Sequence, residues 1–244
     1  MKTLEYRVNF ISTIVPTMAY SLGYLVFLNV ILAKIPNVAG WSYSQMLLFF
    51  ALEQLSYYLS WFSFRTSLDF FCQSVKEGSF DFTLKLPANT RFVVTTKDPS
   101  LDIFFPVFLP IFLLVYSLLQ SHVTVGGLLI GGLLFILGFV TYYNIFFAVA
   151  ALAFWFTETV EAVGLVDELQ TFSRYPKEVY PGPLSFILLT VFPALLFVYV
   201  PVSAFYSMIN WQFIILSIVV NGISFIVSQK IWHLGLKHYS SASS

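Results

Sequence analysis

Six runs of apolar residues, each long enough to cross a bilayer as a helix, recur along the 244-residue chain at about 10–33, 43–64, 101–120, 125–156, 183–207 and 211–232. A hydrocarbon layer roughly 30 Å thick takes about 20 such residues, and inside it every backbone N–H and C=O has to find its partner within the segment. The pattern predicts an all-α integral membrane protein, a single transmembrane domain of six helices covering 1–244. Composition agrees: 58% of the residues are hydrophobic and 10% charged, against about a quarter charged in soluble domains. No small-residue cleavage site follows the first run, so it reads as a retained span.

The connections SHVT and SMINW are short, which predicts antiparallel neighbours. In KIPNVAGWS, Pro36 and Gly40 mark a turn and Trp41 offers an interfacial anchor. Polar residues are thereby gathered into two intervals, 65–100 and 157–182. Basic residues near span ends stay cytoplasmic. With the N-terminus inside, eleven of the 12 Lys and Arg residues are cytoplasmic and Lys34 is outside; the inverse topology leaves one inside. The expected arrangement is N-in, C-in.

Net charge is +0, which gives no reason to expect a nucleic-acid partner or an acidic substrate. The lone Cys72 has no second cysteine for a disulfide or a metal pair. The sequence has no phosphate-binding loop of the G-x-x-x-x-G-K-S/T kind, no G-x-S-x-G elbow and no H-E-x-x-H pair. No metal or nucleotide site, and no catalytic set, is therefore expected on this chain. His122, His233 and His238 lie at span ends without an acidic neighbour at helical spacing, and read as interfacial side chains.

One charge lies clearly within a span, Glu53, with Gln54 beside it and Tyr57 one turn on. A carboxylate there costs about 2.5–3.5 kcal/mol on insertion scales. Two readings follow: an inward group satisfied by a hydroxyl or amide of another helix, or a contact on a substrate path. Gly127, Gly131 and Gly138 share a face of the fourth run, which predicts close helix packing within the chain, with a dimer seam as the alternative.

The first polar interval contains EGSFDFTLKLP, in which Gly78, Asp81, Leu84 and Pro87 repeat every third residue. That spacing predicts a short amphipathic helix at the membrane surface with Gly78, Asp81 and Leu84 on one side, stopped by Pro87. Further on the chain reads SRYPKEVYPGPLSFILLTVFPALLFVYVP, carrying Arg174, Tyr175, Pro176, Tyr180, Pro181, Pro193, Ala194, Tyr199 and Pro201. Together with Glu5 to Arg7 and Phe154-Trp155, these elements resemble the permease subunits of ABC type-2 exporters, in the subfamily with G-x-x-D-x-x-L-x-x-P and R-Y-P-x-x-x-Y-P elements. The chain departs from that pattern in reading Leu84-Lys85-Leu86-Pro87 where the family usually has Leu-Arg-Pro.

The resemblance implies the type V transmembrane fold and a non-catalytic subunit in the inner membrane of a bacterial cell. ATP and magnesium would be bound by two copies of a separate ATPase, and a second copy or a paralogue of the permease would complete the pair. The loop 65–100 would carry the coupling helix, with Asp81 facing the ATPase or capping that helix. The spans are rich in Phe and Tyr and hold almost no charge, so the expected cargo is hydrophobic or amphipathic: a drug-like molecule, a lipid or a peptide, with Glu53 on its path. An ion-coupled carrier is the alternative, but it would call for several buried ionisable groups and inverted repeats. Type-2 permeases also carry a re-entrant hairpin before the last span. On that reading 157–175 is the fifth span, the stretch with Pro193 and Pro201 dips in from outside, Asp167 and Glu168 are buried, and nine basic residues stay inside. The hydropathy reading instead makes 157–182 a surface segment and 183–207 a full span.

Overall fold

The computed structural model describes residues 2–35, 37–100, 106–121 and 123–239, with side chains from Val15 onward except Thr17. Pro36, His122 and the side chains of Glu5 to Arg7 lie outside the described residues. All regular structure in it is helical.

Helix α1 runs Lys2–Leu32 and α2 runs Tyr43–Ser60. The α2 start is closed by a capping box, in which the Ser42 backbone N–H donates to Gln45 Oε1 at 2.8 Å. The helix does not end where the apolar run ends. It passes through a π turn at Trp61–Arg65 and continues as α3, Thr66–Lys76, with right-handed helical backbone at both joints. A π turn inserts one extra residue and re-aims the side chains beyond it. The interval expected as a loop from 65 therefore begins with three further helical turns, and the chain reverses only at Gly78, whose φ of +75° suits a residue without a Cβ.

After the reversal come α4, Phe80–Leu84, and α5, Thr90–Thr96. Gly78 thus belongs to the turn and not to the helix with Asp81 and Leu84, correcting the expected three-residue register. Helix α6 is Phe108–Leu119, preceded by a turn at 106–107, and 101–105 lie outside the described residues. Helix α7, Val125–Ala151, is extended by a 3₁₀ turn at Leu152–Phe154.

The second polar interval is the larger correction. It forms α8, Thr159–Gln170, continued by a 3₁₀ turn at Thr171–Arg174, and it is packed against the bundle with Val163, Val166, Gln170, Ser173 and Arg174 buried. The run 183–207 is not one straight span. It is α9, Gly182–Thr190, and α10, Ala194–Phe205, bent by 94° at a break before Pro193. Proline disfavours the α conformation of the residue before it, here Phe192, so the helix stops there and restarts in a new direction. Helix α11, Trp211–His238, closes the chain.

All twelve residues of α10 are buried. The reason is α7: a Cβ on Gly127 would stand 2.6 Å from the Phe205 carbonyl oxygen, and one on Gly138 would stand 3.0 Å from the Leu196 oxygen. The two helices therefore touch backbone to backbone, the internal packing expected of these glycines. Among the described residues two helices, Val125–Phe154 and Trp211–His238, are long and apolar enough to cross a membrane unaided, and the bent α9–α10 pair makes up to 3. Helices α2–α3 and α8 instead carry charge in the seam described next.

Candidate functional site

Helix α8 runs antiparallel to α2–α3, because the pairs between them fall in reversed order. Arg174 meets Glu53, Asp167 meets Arg65, and Glu158 meets Lys76. At about 1.5 Å per helical residue the three pairs span roughly 34 Å counted along α2–α3 and roughly 24 Å counted along α8 and its 3₁₀ turn, a length on the scale of a hydrocarbon layer.

The first pair is the most buried. Glu53 is 2% exposed and accepts from Arg174 Nη2 on Oε1 at 3.1 Å and from Arg174 Nε on Oε2 at 3.3 Å. Gln54 Nε2 donates to Oε2 at 3.0 Å. The guanidinium carbon lies 5.3 Å from the Tyr20 ring centre, 5.0 Å from Tyr24 and 5.7 Å from Phe50. Arginine suits this place: its planar fork matches a carboxylate and its faces stack on rings. The partner of Glu53 is thus a full counter-charge, not the neutral hydroxyl or amide expected. Two residues singled out separately in the sequence, Glu53 and the motif residue Arg174, form one unit.

The second pair sits at the π turn. Arg65 Nε donates to Asp167 Oδ2 at 2.7 Å, Nη1 pairs with Asp69, and the guanidinium carbon lies 5.1 Å from the Trp61 ring centre. Tyr142 reaches in from α7 to donate to Asp167 and to Gln170. The third pair, Lys76 with Glu158 at 3.5 Å, is open to solvent, with side chains 52% and 69% exposed.

A cleft of about 550 Å³ lies over the two buried pairs. Pro16 and Tyr20 of α1 form one wall, Gln54, Tyr57, Tyr58 and Trp61 a second, and Gly164, Glu168 and Thr171 a third. Its lining combines aromatic faces with phenol hydroxyls and charged groups. The expectation that the spans hold almost no buried charge is corrected: Glu53, Arg65 and Arg174 are all buried.

The other motif residues hold the far end of the seam. Tyr175 packs 6.5 Å from Tyr24, and Pro176 leads into a 3₁₀ turn at Lys177–Val179. The Tyr180 hydroxyl donates to the Phe172 carbonyl at 2.6 Å, and Pro181 starts α9. Within that turn Glu178 accepts from Trp41 Nε1 at 3.2 Å and from the Tyr199 hydroxyl at 3.1 Å. Trp41 is consequently buried, not the lipid-interface anchor expected. Pro193 precedes α10 and Pro201 lies inside it, both buried, whereas α9 before the bend is largely exposed.

At the opposite end, Phe80 of α4 is fully buried against Phe71, Phe154, Trp232 and Tyr239. Phe82, Leu84, Leu86 and Pro87 face outward. Asp81 is in the first turn of α4 beside the Tyr239 phenol, whose pKa is raised by burial and by that carboxylate. His238 stacks on Trp155 at 5.8 Å, and His233 is exposed on α11.

Sequence reasoning missed three groups. The Arg65–Asp69 pair had a signal in its i, i+4 spacing, whereas its bond to Asp167 joins residues 102 apart. Glu178 had none. Arg91 of α5 also went unremarked: it donates to Tyr143 at 3.2 Å, to Asn144 at 3.1 Å and to Ser228 at 3.3 Å, with its guanidinium carbon 4.1 Å from the Phe147 ring centre.

The family model described as ABC-2 family transporter protein matches residues 18–243. No curated protein and no solved structure matches the chain.

Proposed function

The chain belongs to the ABC-2 family of transporter proteins, and from that premise we propose that it is the permease subunit of an exporter driven by ATP hydrolysed on a separate chain. One observation carries the reading: α4 and the turn after it point a row of apolar side chains outward at Phe82, Leu84 and Leu86 while Phe80 anchors α4 in the aromatic cluster between α3 and α11. A partner pressing on that row would push directly on the ends of two long helices. ATP and magnesium belong to that partner, and two ATPase copies would serve a pair of permeases, this chain with a second copy or a paralogue.

The proposed topology has six crossings, α1, α2–α3, α6, α7, α8 and α11, with both termini inside and α9–α10 as a re-entrant hairpin. The antiparallel course of α8 along α2–α3 supports this version over the one with a full span at 183–207, although it moves Arg174 and Lys177 outside. The membrane would be the cytoplasmic membrane of a bacterium.

The proposed cargo is amphipathic. Tyrosine and tryptophan faces in the cleft suit an apolar body, and its hydroxyls and ion pairs suit a polar head. An ion-coupled carrier is less well supported, because the Glu53 and Asp167 carboxylates each already have a guanidinium to neutralise them. The experiment is co-expression with candidate ATPases and reconstitution in vesicles. Phe82→Asp with Leu84→Asp should abolish co-purification of the ATPase and its stimulation by amphipathic compounds. Full stimulation in that variant, or ATP hydrolysis by this chain alone, would overturn the reading.

A further inference from the structure

We propose that the surface where α11 meets the start of α5 is a binding site for the phosphate headgroup of an anionic phospholipid. An open cleft of about 530 Å³ lies there, lined by Asn89, Phe225, Gln229, Lys230 and His233. Its lining holds a cation, three further groups able to donate hydrogen bonds, and no carboxylate. Lys230 and His233 are exposed and make no hydrogen bond or ion pair among the described residues.

Arg91 stands behind this cleft. Its hydrogen bonds go to neutral groups, one of them Ser228 next to Gln229, and its guanidinium carbon lies 5.9 Å from the ring centre of Phe225, which lines the cleft. Arg91 Nη1 is buried without a hydrogen-bond partner. The positive charge of Arg91 is therefore not cancelled by the acceptors that hold it, and it adds to that of Lys230. Lys237 lies two turns further along the same side of α11.

The neighbouring surface argues for a lipid over a free anion. Helix α11 is the least covered of the long apolar helices, 11% buried over its most apolar window. Val219, Ile223 and Ile226, on the same side of α11 and N-terminal to Lys230, are exposed by about half. Acyl chains would lie against that apolar stretch while the headgroup meets the cations, the arrangement by which basic pockets beside membrane helices hold anionic lipids. Lysine suits the boundary because its stem packs on apolar surface while the ammonium reaches the polar layer. The site requires only that α11 crosses the membrane, so it stands independently of ATP coupling.

The test uses the full chain, purified from mixed vesicles of phosphatidylglycerol and phosphatidylcholine, with retained lipid counted by native mass spectrometry. The wild type should keep phosphatidylglycerol in preference to phosphatidylcholine. Lys230→Gln with His233→Gln should cut retained phosphatidylglycerol by about fivefold or more, the scale of one basic residue at an anionic surface, without changing phosphatidylcholine. Lys230→Arg, which keeps the charge, should restore retention when His233 is intact. Unchanged retention in the double glutamine variant would overturn the site. Displacement of the lipid by millimolar inorganic phosphate would overturn the headgroup assignment in favour of a free anion. A dimer that persists after lipid removal and is lost in the variant would assign this surface to a second copy instead.

Discussion

Two seams in this molecule are built from opposite materials. Between α7 and α10 three glycines let backbones touch, and what fills the space is carbonyl oxygens and a phenylalanine ring. Between α2–α3 and α8 the contact is a ladder of charges with a cleft over it. Inside a bilayer apolar surface gains nothing from being moved from lipid to protein, so close packing is what holds the first seam. It has one good arrangement. The second seam is held by a few directional bonds that can be broken and remade by water or a polar ligand, and the π turn at its middle already departs from regular helix. If the permease alternates between two states, the difference in materials predicts that the ladder rearranges while the glycine seam moves as one body.

The most severe test of that contrast is Glu53→Gln. It leaves the Arg174 charge in a site where Glu53 is 2% and Arg174 8% exposed. Breaking one side of a buried pair typically costs about 3–5 kcal/mol, whereas replacing both partners with apolar residues is often far less damaging. The expected outcome is a large drop in thermal stability of the detergent-purified Glu53→Gln protein, with most of it recovered in Glu53→Leu, Arg174→Met. Transport should stay impaired in the double variant if the pair belongs to the path. A loss below about 1 kcal/mol in the single variant would mean that water already reaches the pair, and the two seams would then differ less than argued.

Much of this contrast was readable from the sequence, though only one half of it. Gly127, Gly131 and Gly138 announce their role because packing in helices is local: the spacing alone puts them on one face. The ladder is non-local. Glu53 stood out as a lone charge in an apolar run, but nothing in the chain says that its partner lies 121 residues away. Hydropathy gave no hint, for the same reason, that α8 would pack against α2–α3. A helix that neutralises its charges against another helix looks, residue by residue, like a polar surface segment. The bend before Pro193 was anticipated as one of two readings, since proline acts on its immediate neighbour, whereas the burial of Trp41 depended on Glu178 and had no local signal.

A smaller effect probes the other seam. Gly127→Ala would drive a Cβ toward the Phe205 carbonyl, which as backbone cannot rotate away, whereas at Gly126 nothing lies within 4 Å. Overpacking of this kind costs about 1–3 kcal/mol. Gly126→Ala should be close to neutral, because Gly126 is the second residue of α7, where the interior preference for alanine over glycine of up to about 1 kcal/mol is only partly felt. Unfolding midpoints of the two variants, measured side by side, check this. Equal midpoints would show that α7 and α10 can separate cheaply, and the claim of a rigid seam would fall.

The smallest effect lies at the solvent end of the ladder, where the Lys76–Glu158 pair has the same chemistry as the buried rungs and a different surrounding. Its side chains are 52% and 69% exposed and its ions 3.5 Å apart. Water solvates both groups before and after they meet, and salt screens what attraction remains within about 10 Å. Lys76→Gln should therefore change stability by less than about 1 kcal/mol, and raising the salt concentration should erase even that difference. The result bears on the buried rungs as well. If Lys76→Gln proved as damaging as Glu53→Gln, charge pairing itself would hold α8 in place; if it is nearly silent, burial is what makes the inner pairs strong, and any movement that lets water into the cleft would loosen α8 from the inside.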